Sequence, residues 1–179
     1  MPANPKKRQA TRSGAIKQVH DRAIQALKLK PSIGRGTSVT TSRLVAGLAC
    51  DITRGDWKLR ADLSPAEGGD GSGPSPSVYG EGALAACLTM GLAIAAARRG
   101  IEIVELSVEV AADWDIQGMY GLGDNIPPGY TKLRIAVDLD SGASPAEAEK
   151  LLADVVRNSP WMDVYRRAND VTVSLRPRS

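Results

Sequence analysis

The sequence predicts an α+β protein, and three observations carry that prediction. Several stretches alternate apolar and polar residues as half-buried strands do. One long segment, Pro76 to about Arg99, is apolar almost all round. A second helix is announced by the capping box Ser144-Pro145-Ala146-Glu147. Strands separated by single helices, in the order β-β-(β)-α-β-β-α-β, belong to an α+β architecture with antiparallel sheets. At 179 residues the chain fits one domain, or one domain with an appendage, and its 42% hydrophobic and 24% charged content is ordinary for a globular protein. It has no Phe, so the core is expected from Ala, Leu, Val and Ile.

Residues 1–12, MPANPKKRQATR, read as a disordered basic tail. They lack the apolar segment of a secretory signal, so a cytoplasmic protein is expected. From Ser13 to about Lys30 the spacing is helical: Ile16, Val19, Ala23 and Leu27 recur three or four apart, with Lys17, Arg22, Lys28 and Lys30 on the other faces. Pro31 stops this helix, which is expected to dock on the body of the protein or on a partner subunit. The lone histidine, His20, reads as a surface or packing residue. Residues 1–36 hold five Lys and four Arg against one acid, Asp21, whereas 37–179 hold 14 basic and 19 acidic residues. The chain therefore divides into a basic N-terminal extension over 1–36 and a mildly acidic folded domain over 37–179. Nucleic-acid contact through the extension is a minor alternative to a solubilising tail. No apolar run reaches the roughly 18 residues that a membrane span needs.

A strand is expected around Val39 to Val45, followed by a hairpin. Leu48, Cys50 and Ile52 alternate with Ala49, Asp51 and Thr53, Arg54-Gly55-Asp56 turns the chain, and Trp57, Leu59, Ala61 and Leu63 share the inward face. Cys50 on that face reads as a small core residue. The loop from Ser64 to Ser75, with its GGDGSGPSP stretch, has no GxxxxGK[ST] pattern and so is not a phosphate loop. It delivers the chain into the long helix, with Ser75 as N-cap, Pro76 at the first position and Gly100 after the end. A helix apolar all round is expected at the centre of the fold. Val104, Leu106, Val108 and Val110 form the next strand, and a long loop spans Asp113 to Gly129. Leu133, Ile135, Val137 and Leu139 form another strand. The second helix runs from Ser144 to about Asn158, where Ser159-Pro160 breaks it. A short helical piece follows, and Val171, Val173 and Leu175 suggest a closing strand.

Few groups could carry chemistry. Two cysteines, Cys50 and Cys87, and one histidine cannot make a standard zinc site, and no cofactor or metal is expected. In a reducing compartment the cysteines stay thiols. Cys87 lies too deep in the long helix for the helix dipole, which acts within the first turn, to activate it. A reactive thiol there needs a nearby cation, since the thiolate is the nucleophile. Taken alone, a Cys in an Ala-rich helix is a packing residue.

The surrounding residues say more. GGDGSGPSPSVYGEGALAACLTM, a Gly-rich loop, a Pro-led helix and an Ala-Ala-Cys some eleven residues on, resembles the active-site helix of the OsmC/Ohr family of small bacterial redox proteins. GMYGLGDNIPPGYTKLRIAVDL is similar to the family's loop and strand before its second helix. AEKLLADVVRNSPWMDVY is similar to that helix and the turn after it. With the hairpin at 48–63 the resemblance spans about residues 38–175.

The resemblance implies an OsmC-like fold, with antiparallel sheets around a central helix carrying Cys87, in an intertwined homodimer with its sites at the subunit interface. It further implies a first Cys that attacks an organic hydroperoxide, a second Cys that condenses with the resulting sulfenic acid, and an Arg and a Glu holding thiolate and peroxide. Cys87 matches the attacking position. The second position holds Ser159, and the Glu position holds Ser77, with Glu81 one turn further on. Arg43 is the first choice for the Arg, then Arg54; Arg60 alternates onto the polar face. Two functions follow. One is a single-cysteine thiol peroxidase acting on small organic hydroperoxides with an external thiol reductant. The other is a non-peroxidatic protein of the same fold, whose interface pocket binds a small organic or acyl ligand.

Overall fold

The computed structural model describes residues 5–176. Its elements in chain order are α1 (Pro5–Leu29), β1 (Thr41–Ala46), β2 (Ala49–Arg54), β3 (Trp57–Ala61), α2 (Pro76–Arg99), β4 (Ile103–Trp114), α3 (Ile116–Met119), β5 (Tyr130–Ser141), α4 (Pro145–Asn158) and α5 (Pro160–Arg166). The fold is α+β, as the sequence predicts, with two antiparallel sheets: β1-β2-β3 and the long hairpin β4-β5.

The core forms where α2 and α4 lie against β4-β5. Leu84, Leu88, Leu92 and Ala96 recur every fourth residue and so share one face of α2. They are buried together with Leu151 and Val155 of α4 and Met162 of α5. The inward positions of the hairpin, Leu106, Val108 and Val110 facing Leu133, Ile135, Val137 and Leu139, close this core from the other side. Val104, expected on that face, points outward because a register shift between Ile103 and Glu105 resets the alternation. Gly91 allows α2 and α4 to approach closely: a Cβ there would lie 2.9 Å from Val155 Cγ1.

Five further expectations need correction. Residues 1–12 were expected to be disordered; 1–4 lie outside the described residues, but the helix begins at Pro5, eight residues before Ser13. Pro suits a first helical position, and Lys, Arg, Gln and Ala propagate a helix well. The docking stripe of α1 is also shifted: Ile16, His20, Asp21 and Ile24 face the body while Val19, Ala23 and Leu27 remain exposed.

Next, α2 is buried along one stripe only, and Met90 on its other face is 59% exposed. Cys50 is half-buried rather than in the core: its neighbour Ala61 is buried, but among the described residues most of the apolar face of β1-β2-β3 stays open. On that face Trp57 is 76% exposed and Leu44 and Leu59 are open too. Finally, Val171 to Leu175 form no strand; alternation specifies a face but supplies no neighbouring edge to pair with.

Candidate active site

Cys87 sits on the side of α2 that the hydrophobic core leaves free. Ala83, Cys87, Met90, Gly91 and Ile94 recur at helical spacing and form one wall of a groove of about 940 Å³. The opposite wall is the end of α4 and the start of α5, including Val155, Ser159 and Trp161. The lining near the thiol is apolar. At the far end the groove meets Arg98, Arg99, Asp154 and Arg157.

Local sequence puts Ser159 on that wall. The capping box fixes the start of α4: Ser144 Oγ accepts from Glu147 N at 3.4 Å, and the Glu147 carboxylate accepts from Ser144 N at 2.9 Å. Pro160 disfavours a helical conformation at the residue before it, so Ser159 is extended, with φ −76° and ψ 121°, and α4 ends there. Pro160 then starts α5, and Ser159 caps it by accepting from Met162 N at 3.3 Å. Ser159 is 5% exposed. Its Oγ lies 3.3 Å from Cys87 Sγ, across 72 residues of sequence. The turn that the resemblance assigns to a second sulfur therefore does meet Cys87, with an oxygen in its place.

The other candidate residues are elsewhere. Arg43 pairs in register with Asp51, on the same sheet face as Arg60, and Arg60 binds Asp51 at 2.7 Å. Arg43 does not line the groove of its own chain. Arg54 ends β2 beside the turn, opposite Trp57. The cations that do line the groove are ion-paired: Arg99 and Arg157 share Asp154 at 2.5 and 2.6 Å, and Arg98 binds Asp21 of α1 at 2.8 Å. Glu81 is on a different face of α2 from Cys87; its Oε1 accepts from Tyr130 Oη at 2.9 Å. Burial, then the hydrogen bond and charge of Glu81, push the Tyr130 phenol above its ordinary pKa, against a smaller lowering by Ser77. Glu81 thus serves Tyr130 rather than Cys87. Cys50 Sγ is 3.5 Å from the Leu48 carbonyl, to which the thiol donates.

Sequence reasoning missed Asp62, which organises the approach to α2. Its side chain is buried, 2% exposed, and accepts from Leu63 N, Asp70 N, Ser72 N and Ser72 Oγ at 2.8 to 3.2 Å. The glycines of the loop permit this wrapping, for a Cβ at Gly69 would collide with Leu63 O and Asp62 Oδ1. An acid at a strand end followed by Gly, Asp and Ser was the available signal.

A two-sheet α+β chain with a helix-borne cysteine opening on an apolar groove is the class of protein that fold and site define. The family model described as OsmC-like protein matches residues 69–174, from the Asp62 loop through α5, and the chain belongs to that family. Solved structures share the fold. An OsmC-like protein from Mycoplasma pneumoniae is 16% identical, with 73% of this chain and 88% of that one covered and a TM-score of 0.64. A putative osmotic stress induced and detoxification response protein from Psychrobacter arcticus is 16% identical over 73% and 89%, with a TM-score of 0.57. An organic hydroperoxide resistance protein OsmC from Legionella pneumophila is 20% identical over 73% and 90%, with a TM-score of 0.53. No curated protein matches in sequence.

Proposed function

We propose that this protein reduces organic hydroperoxides, with Cys87 as the only attacking thiol and an external thiol as reductant. The observation that carries the reading is the position of Cys87 Sγ: half-buried, on an apolar groove large enough for an organic substituent, and 3.3 Å from Ser159 Oγ. The thiolate attacks the distal oxygen of ROOH, the O–O bond breaks, and the alcohol leaves with one proton, so that Cys87 becomes a sulfenic acid. A first external thiol displaces water to give a mixed disulfide. A second releases Cys87 and leaves as the oxidised disulfide. Ser159 cannot form a bond to the sulfenic sulfur, so regeneration depends on that external thiol. In a reducing cytoplasm Cys50 and Cys87 stay thiols between turnovers.

The reading includes a homodimer. Arg43 lies outside the groove of its own chain, so it can serve as the cation beside Cys87 only from a second copy. The exposed apolar faces of β1-β2-β3 and of α2 favour such a partner.

Steady-state consumption of cumene hydroperoxide with a small dithiol tests the function. Cys87→Ser should abolish turnover and Cys50→Ser should retain it. No turnover by the wild type would favour the second reading, a non-peroxidatic protein that holds a small organic or acyl ligand in the groove. That reading is supported by the engagement of Glu81 with Tyr130, away from the thiol.

A further inference from the structure

Ser159 is more than the residue that replaces a second sulfur. A hydroxyl has two lone pairs and one proton, and the surroundings of Ser159 Oγ allot them. The Met162 N–H occupies one lone pair at 3.3 Å. At 5% exposure, water has little access to the rest. Among the described residues the remaining neighbour within hydrogen-bond reach is Cys87 Sγ, at 3.3 Å. Either atom can donate while Cys87 is a thiol, but an ionised sulfur can only accept, so the proton must then come from Ser159. We infer that Ser159 is a positioning residue that donates its hydroxyl proton to the Cys87 thiolate and holds the sulfur in its attacking form. The inference deepens the proposal that Cys87 is the reactive thiol and rests on it. Hydrogen bonds to a charged acceptor are stronger than neutral ones, and within an apolar groove a single such bond is not diluted by solvent.

The competing explanation is that Ser159 only caps α5, and three variants separate the two. Ser159→Thr keeps both cap and donor, Ser159→Ala removes both, and Ser159→Gly removes the donor while leaving a residue that caps helices nearly as well and adds no charge. Each is made in the full chain with Cys50→Ser, so that one thiol remains, and circular dichroism confirms folding. The readout is the rate of Cys87 alkylation by iodoacetamide as a function of pH. Near neutral pH, Ala and Gly should alkylate about tenfold more slowly than Ser. Thr should keep the original rate. The deficit should close in strongly alkaline solution, where any thiol is ionised whatever its neighbour.

A Gly or Ala variant reacting at the original rate would overturn the inference. So would a deficit of equal size at every pH, which is an effect of access. The peroxidase reading is tested separately. If the alkylation contrast holds while the wild type fails to consume hydroperoxide, the role of Ser159 stands and the peroxidase proposal falls.

Discussion

Asp62 shows how much a single side chain can settle. Its carboxylate takes four hydrogen bonds from the loop that leads into α2, and the backbone N–H and hydroxyl of Ser72 contribute most to holding it below the usual carboxylate range. A carboxyl depressed in the folded state stabilises fully above its unfolded pKa and ceases to do so as pH falls through the folded value. Asp62→Asn should therefore lower the urea midpoint at neutral pH. The gap from wild type should narrow below about pH 4. A gap independent of pH would assign Asp62 no electrostatic role. Ser159→Cys places a second sulfur where Oγ now lies 3.3 Å from Cys87 Sγ. After limited peroxide it should lose two hydrogens in an intact-mass measurement, as a disulfide forms. At this scale the sequence alone showed little. Asp62, Tyr130 and Glu81 meet their partners through folding, and a contact such as Ser159 with Cys87 leaves no local pattern. Only the family resemblance pointed to that turn.

The elements were more legible, because their signals are local. Pro76 and Gly100 bound α2 as expected, Gly100 with φ +73° accepting the left-handed conformation that closes the helix. The capping box located α4. Helical continuity at α1 and the unpaired residues after α5 were misread, the first from composition and the second from alternation without a partner. The account of α2 is that one stripe holds the fold and the other serves the site. Leu88, fully buried, belongs to the first stripe. Leu88→Ala should cost about 2–5 kcal/mol in urea unfolding, the usual range for a Leu deleted from a packed core. Met90→Ala, on the open face, should cost far less.

For the whole molecule, a single chain leaves apolar surface exposed away from the groove. Leu44, Trp57 and Leu59 stand open on one sheet, and Val173 and Leu175, unpaired among the described residues, are exposed. Sedimentation at micromolar concentration should give a mass near twice the 18.9 kDa of the chain. A stable, well-folded monomer would remove Arg43 from the proposed site and the partner from the account. The sequence showed which strand faces are apolar; the proposed second copy is what would cover them. The central claim is that Cys87 is oxidised by organic hydroperoxides and has no internal partner to resolve it. Intact-mass spectrometry of the wild type after limited cumene hydroperoxide, without reductant, tests this most directly. The account predicts gains of about 16 and then about 32 Da, confined to Cys87, with no loss of two hydrogens. A Cys50–Cys87 disulfide, or a mass that does not change, would contradict it.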